Sequence, residues 1–146
     1  MSTEANKVIA LRFFEDIFSQ GNLAVADEII APDYRDGGPG AIPGLPPGPE
    51  GSKMLVMVYR NAFPDVHFVI DEQVAEGDTV VTRWTAYGTH KGELAGIPPT
   101  GKSVTVIGVS VDRIVNGKLV TGWSISDQYG MLQQLGVIPQ QERGES

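Results

Sequence analysis

Cysteine is missing from this 146-residue chain. That excludes disulfides, a thiolate metal site and a cysteine nucleophile. Histidine is nearly missing too. With only His67 and His90, a three-histidine metal site is excluded, no recognised ligand spacing joins the two, and no metal is expected. Basic residues are scarce, 11 Lys and Arg against 18 Asp and Glu, for a net charge of -7. No basic cluster overrides this balance, so neither nucleic acid nor an anionic membrane surface is an expected partner. No apolar run approaches the ~20 residues of a membrane span. The opening MSTEANK carries no apolar segment behind a basic one, so no signal peptide is read there and the expected compartment is the cytoplasm. There is no internal repeat. What remains, 41% hydrophobic and 20% charged residues, is ordinary for one compact domain with its own core. Residues 1–136 are expected to form that domain and 137–146 a polar tail, frayed from Gln140 onward.

The most informative stretch is VTVIGVSVDRIVNGKLVTGWSISDQYG, Val104 to Gly130. It holds two long β-runs around a turn at Asn116-Gly117, then a helix entry near Asp127. The turn sets the register. A plain two-residue loop would put Gly108 opposite Ile125 and Ser110 opposite Trp123, mixing large and small residues on both faces. A three-residue loop, Val115-Asn116-Gly117 with Gly117 left-handed in a bulge, puts Ile114 opposite Lys118. Ile107, Val109, Val111, Thr121, Trp123 and Ile125 then share one face, and Gly108, Ser110, Gly122, Ser124 and Ser126 the other. The three-residue loop is the expected one, because a slip of one residue moves a whole hydrophobic set to the wrong side. A strand face of Gly and Ser is either a plain exposed face, a close approach by another backbone, or the wall of a cavity.

The remaining chain supplies the cover for that sheet. Thr3 to about Gln20 reads as a helix, capped by Ser2 or Thr3, with Phe13, Phe14, Ile17 and Phe18 as its apolar stripe. A short helix, Leu23 to Ile30, follows, then an extended piece at Asp33 to Asp36. Nine of the twelve residues 37–48 are Gly or Pro, which makes a stiffened loop, either a lid over a pocket or a surface connection. A third helix is expected from Gly48 to Ala62, with Pro49 at its first turn and Leu55, Val58, Tyr59 and Ala62 buried. Arg60 near its end either complements the helix dipole in solvent or holds an anion. Val66, Phe68 and Ile70 alternate as a half-buried strand that leaves His67 exposed. Thr79 to Thr89 is the next strand, after a turn at Glu76-Gly77-Asp78. Asp127 to Leu135 closes the chain as a short helix stopped by Gly136. This order predicts an α+β fold: a curved, mainly antiparallel sheet with helices packed on one face around a pocket, in the shape of a cone.

Several short motifs share that order. Phe63-Pro64-Asp65, Glu76-Gly77-Asp78, Gly88-Thr89-His90, residues 96–102 (GIPPTGK), Asn116-Gly117-Lys118 and Gln134-Leu135-Gly136 together resemble the SnoaL-like polyketide cyclases. That family has the cone fold of ketosteroid isomerase and the nuclear transport factor group, and the resemblance runs from the first helix to Gly136. It implies a homodimer or homotetramer with a deep apolar pocket for a hydrophobic small-molecule substrate, working without a cofactor. Family members of known activity include aldol cyclases that close the last ring of anthracycline-type polyketides for antibiotic biosynthesis; related members take part in hydroxylation. The resemblance places Ser124 at the position of the family's general-base Asp. It places Gly108 and Ser110 at the positions of a Gln and a His, and Asp36 at that of an active-site Asn.

Aldol closure removes a proton next to a carbonyl, which needs a carboxylate or histidine tuned towards neutrality. A serine without an adjacent base does not serve. Asp36, His90 and Asp127 are therefore the candidate catalytic groups. Asp127 is also a natural helix N-cap, and His90 is equally suited to hold the proline-rich loop. Tyr34 and Tyr59 are candidate donors to a substrate oxygen, or core aromatics. Gly108, Ser110, Ser124 and Ser126 are the candidate cavity wall. Asp112 shares that face but lies nearest the hairpin turn, where it is expected to meet solvent. The resemblance, with the small-residue strand face, thus implies a cofactor-independent cyclase or isomerase, or else a binding, accessory or hydroxylation-linked protein on the same scaffold.

Overall fold

The computed structural model describes residues 2–139, so the frayed tail expected over 140–146 lies outside the described residues. Helix α1, Thr3–Arg12, starts at Ser2, whose side chain accepts the Ala5 N–H at 3.0 Å. It does not run on as one α-helix to Gln20. Phe13–Ser19 is wound as a π-helical segment, seen in the Gln20 N–H bond to the Glu15 carbonyl at 3.1 Å. The apolar spacing fits either winding. The wider one puts Phe13, Phe14 and Phe18 together on the side facing the sheet, with ring centroids of Phe18 and Phe68 4.7 Å apart. Arg60 holds this segment: it is half-buried, and its Nη1 donates to the Phe18 and Ser19 carbonyls at 2.8 and 2.9 Å. Ser19 Oγ donates to the Phe14 carbonyl and accepts the Phe68 N–H, each at 2.9 Å, which ties the segment to the sheet.

Helix α2 is Val25–Ile29, and strand β1, Ile30–Gly37, begins directly from it. Helix α3 is Gly48–Ala62 as expected, but rotated from the expected face. Val56 is fully buried, Leu55 and Tyr59 are half-buried, and Val58 is exposed. Strands β2 (His67–Glu76), β3 (Thr79–Thr89), β4 (Ser103–Val115) and β5 (Lys118–Ser126) form an antiparallel meander, and α4 is Gln128–Gln134. The sheet order is β1-β5-β4-β3-β2, with β1 joining β5 in parallel. Register breaks in β1, in β2 and between β4 and β5 bend the strands, as bulges do, and curve the sheet around its helices.

The expected three-residue hairpin loop is not the one adopted. Asn116 and Gly117, both at positive φ (51° and 78°), make a two-residue turn with Val115 opposite Lys118. A bulge then follows at once: Ile114 pairs with Leu119 and Arg113 with Thr121, so Val120 is the extra residue. The bulge restores the segregation of faces that a plain two-residue loop would scramble. Ser110 lies opposite Ser124 and Val111 opposite Trp123. The small-residue face turns inward to the helices. Ile107, Trp123 and Ile125 stay exposed on the outer face. The core sits between the inner face and the helices, centred on Phe14, Phe18, Phe68 and Trp84.

Candidate functional site

The concave face and the helices enclose a cavity of about 150 Å³, apolar on most of its surface. Phe13, Phe14 and Phe18 from the first helical stretch line it, with Trp84, Val104 and Val106 from the sheet and Tyr59 and Met131 from α3 and α4. Among these apolar groups stand two carboxylates, Asp36 and Asp112.

Pairing explains how the two acids come together. Asp36 on β1 lies beside Gly122 on β5, and Gly122 lies beside Asp112 on β4. The three residues form one row across three strands, all pointing inward. Because Gly122 has no side chain, the acids face each other over a gap. Tyr34, two residues before Asp36 and therefore on the same face, fills it: a Cβ on Gly122 would overlap the Tyr34 hydroxyl and lie 3.1 Å from Asp112 Oδ1. The Tyr34 hydroxyl and the Asp112 carboxylate are thus immediate neighbours.

Burial sets the chemistry of the row. Asp112 is only 6% exposed, which corrects the expectation that it meets solvent. Removal from water, with the charge of Asp36 added, pushes its carboxyl up from 3.8 to about 7. Asp36 is less enclosed. Burial raises it to about 6, and the Gly37 N–H works in the opposite direction. Tyr34 is held well above the usual phenol range by burial, then by the charges of Asp112 and Asp36. Tyr59 is raised by burial and by Asp36. At neutral pH the row therefore holds an ionised carboxylate, a carboxyl near its midpoint and a protonated phenol. These are the parts needed for a base, an acid and a hydrogen-bond donor at one place.

The other candidates fall in different positions. Ser124 and Ser126 line the cavity, half-buried. Ser110 lines it as well, and its Oγ accepts the Trp84 indole N–H at 3.0 Å. Gly108 leaves no open space, because a Cβ there would overlap the Trp84 six-membered ring. The bare strand accommodates an indole at that point. His90 is fully buried and is not part of the lining. Its Nδ1 accepts the Thr100 N–H at 3.2 Å and lies 3.1 Å from Thr100 Oγ1, while its ring packs on Phe63. Asp127 is exposed and caps α4 through the Gly130 N–H at 2.9 Å. Of the candidate acids and bases, the fold brings Asp36 to the cavity and adds Asp112, which sequence reasoning had set aside. The signal for Asp112 was its parity with Ser110 along β4.

This arrangement defines a class: an α+β cone with an apolar cavity and an acid row on the inner face of its sheet. The profile of the SnoaL-like polyketide cyclase family matches residues 8–135, and the chain belongs to that family. It is 33% identical to nogalonic acid methyl ester cyclase of Streptomyces nogalater over 121 residues, 82% of this chain and 89% of that one. It is 30% identical to aklanonic acid methyl ester cyclase DnrD of Streptomyces peucetius over 139 residues, 93% and 92% of the two chains. Among solved structures, TsrD from Streptomyces laurentii superposes with a TM-score of 0.84 at 25% identity, covering 94% of this chain and 99% of that one. The expected cone fold is therefore the observed one. No helix among the described residues is long and apolar enough to cross a membrane.

Proposed function

We propose that this protein is a cofactor-independent cyclase that closes a ring of an aromatic polyketide by an intramolecular aldol reaction. The observation that carries the reading is the Asp36–Gly122–Asp112 row with Tyr34 in its gap, inside an apolar cavity. Asp36, the acid ionised at neutral pH, takes a proton from a carbon next to a substrate carbonyl. The Tyr34 hydroxyl, and Asp112 while protonated, donate hydrogen bonds to the enolate oxygen that results. The enolate carbon attacks a ketone carbon of the same molecule, a carbon–carbon bond forms, and Asp112 gives its proton to the new alkoxide. Transfer of the proton from Asp36 to Asp112 restores the starting state. Nothing is oxidised or reduced, and the product has the mass of the substrate.

Asp36 and Asp112 thus stand in for the family's general base, with Ser124 at its position. His90 and Asp127, also candidates from the sequence, are given structural roles in this reading. The outer apolar face, with Ile107 60% and Trp123 43% exposed, is assigned to a second copy of the chain, as a homodimer in the cytoplasm. A second reading, a ligand-holding protein without turnover, draws on Ser124 facing the cavity where the family resemblance expects a carboxylate.

The test is incubation with aklanonic and nogalonic acid methyl esters, followed by liquid chromatography and mass spectrometry. The cyclase reading expects a new product of unchanged mass. Tight binding with no product supports the second reading. A product heavier by one oxygen, formed only in air, overturns both in favour of a hydroxylation-linked role.

A further inference from the structure

The lining of the cavity changes character along the strands. On the inner face of the sheet it follows rows set two residues apart. The acid row comes first. Ser110 and Ser124 make the next row, and Trp84, Gly108 and Ser126 the one after. Gln128 turns back on that third row, donating from Nε2 to Ser126 Oγ at 2.7 Å. The rows that follow are Phe68, Ala86 and Val106, then Gly88 and Val104. None of these side chains carries an oxygen or a nitrogen. Tyr87 lies between the two rows, but its ring is stacked on His67 at 5.1 Å, on the outer face. From Gly108 to Val104 is four residues, roughly 13 Å of strand. A cavity of about 150 Å³ that follows the strands from the acid row to this depth is narrow.

The last of these rows carries a stop. Phe63, at the C-terminal end of α3, is 4% exposed and sits over Gly88. A Cβ on Gly88 would lie 2.9 Å from the Phe63 Cβ, so the bare residue makes the notch in which Phe63 rests. The Phe63 ring packs on His90 with centroids 5.4 Å apart, and the His90 ring is held in turn by the Thr100 N–H. Among the described residues, Gly88 is the last of β3 and Val104 the first of β4 to line the cavity. One side chain in one notch therefore sets the depth of the apolar part.

The occupant follows from what such a passage rewards. An oxygen or a charge placed among Ala86, Val106 and Val104 would leave water and find no partner there. A methylene would gain by burial. Resting on the cyclase reading, we propose that this part of the cavity is a subsite for an unbranched alkyl tail on the substrate, and that Phe63 sets the length of tail accepted. The oxygenated rings stand at the acid row and the serine rows, and the tail runs along Ala86 and Val106 until it meets the Phe63 ring. The substrate class is thus an alkyl-substituted aromatic polyketide, oxygenated at one end and hydrocarbon at the other.

The test is a fluorescence titration, read on the tryptophans, with 1,8-dihydroxyanthraquinone and its derivatives bearing a methyl, propyl, pentyl or heptyl tail on one end ring. A further ligand carries the propyl tail with a terminal hydroxyl. In wild type each added methylene should tighten binding about fourfold until the tail meets Phe63, where the gain stops, and the terminal hydroxyl should reverse the gain of the propyl tail. Phe63→Ala should move the stopping point to longer tails. Gly88→Ala, which pushes Phe63 off its notch, should move it to shorter ones. The stopping point is compared within each protein, so a general loss of affinity in a variant does not count as a shift. Affinity independent of tail length in wild type, a terminal hydroxyl bound as well as a methyl, or a stopping point unmoved in both variants overturns the tail subsite while the cyclase reading stands. Failure of wild type to bind any of these ligands overturns the cyclase reading and the subsite with it.

Discussion

Replacing Asp112 with Asn should make the protein more stable at alkaline pH and less active. Asp112 is almost wholly buried, and its carboxyl is raised from 3.8 to about 7 by loss of water and by the charge of Asp36. Each pKa unit corresponds to about 1.4 kcal/mol, so its ionised form is disfavoured in the fold by about 4 kcal/mol. The sign follows from proton counts. Below 3.8 the group is protonated whether the chain is folded or not, and nothing is lost. Between 3.8 and 7 the folded chain keeps a proton that the unfolded chain has released, so stability falls as pH rises through that window. Above 7 the whole cost is present. Asparagine keeps the shape and cannot ionise. At pH 8 Asp112→Asn should therefore gain up to about 4 kcal/mol, reduced by whatever relaxation already shelters the charge. At about 2–4 °C per kcal/mol for a domain near this size, the rise in Tm at pH 8 should reach up to about 8–16 °C before that relaxation is allowed for. At pH 4 it should nearly vanish. Thermal melts followed by circular dichroism at pH 4, 6 and 8 give the comparison. A Tm difference independent of pH, or a variant less stable than wild type at pH 8, would refute the argument that Asp112 is held against its own charge.

Two other substitutions probe how the cavity is built. Gly108→Ala forces a methyl group into the Trp84 ring and should cost about 1–3 kcal/mol through overpacking, with a change in tryptophan fluorescence that reports the displaced indole. Arg60→Met removes two hydrogen bonds from a charged donor to the Phe18 and Ser19 carbonyls. It should cost about 2–4 kcal/mol, and because it loosens the aromatic lining it should weaken binding of aklanonic acid methyl ester, whereas Val58→Thr on the exposed side of α3 should change neither quantity.

The sequence made the two faces of the β4–β5 hairpin legible, because small and large residues alternate with a period of two over nearly twenty residues. It did not make the turn legible. A three-residue loop and a two-residue turn followed by a bulge at Val120 give the same faces, and the choice depends on backbone geometry that neither side-chain pattern reports. The π-helical winding was hidden for a similar reason: Phe13, Phe14, Ile17 and Phe18 fit one face of either helix. Asp112 was missed because nearness to a turn was taken for exposure. The strand that buries it, β1, joins β5 in parallel from nearly ninety residues away in sequence, and no local pattern announces that pairing. Asp36 was readable as a candidate only through the family resemblance. Its partnership with Asp112 needed the sheet order, since Gly122 joins the two in one row only once β5 is known to lie between β1 and β4.

The central claim is that the two acids of this row carry the proton transfers. The pH dependence of kcat/KM on aklanonic acid methyl ester, measured for wild type, Asp36→Asn and Asp112→Asn, tests it most directly. Wild type should give a narrow bell whose limbs belong to the coupled pair, with apparent values near 6 and 7. Asp36→Asn should lose its rising limb together with about 100-fold or more of the rate expected from general-base catalysis, and Asp112→Asn should lose the falling limb. A wild-type profile that is flat from pH 5 to 8, or an Asp36→Asn variant that turns over at the wild-type rate, would contradict the account.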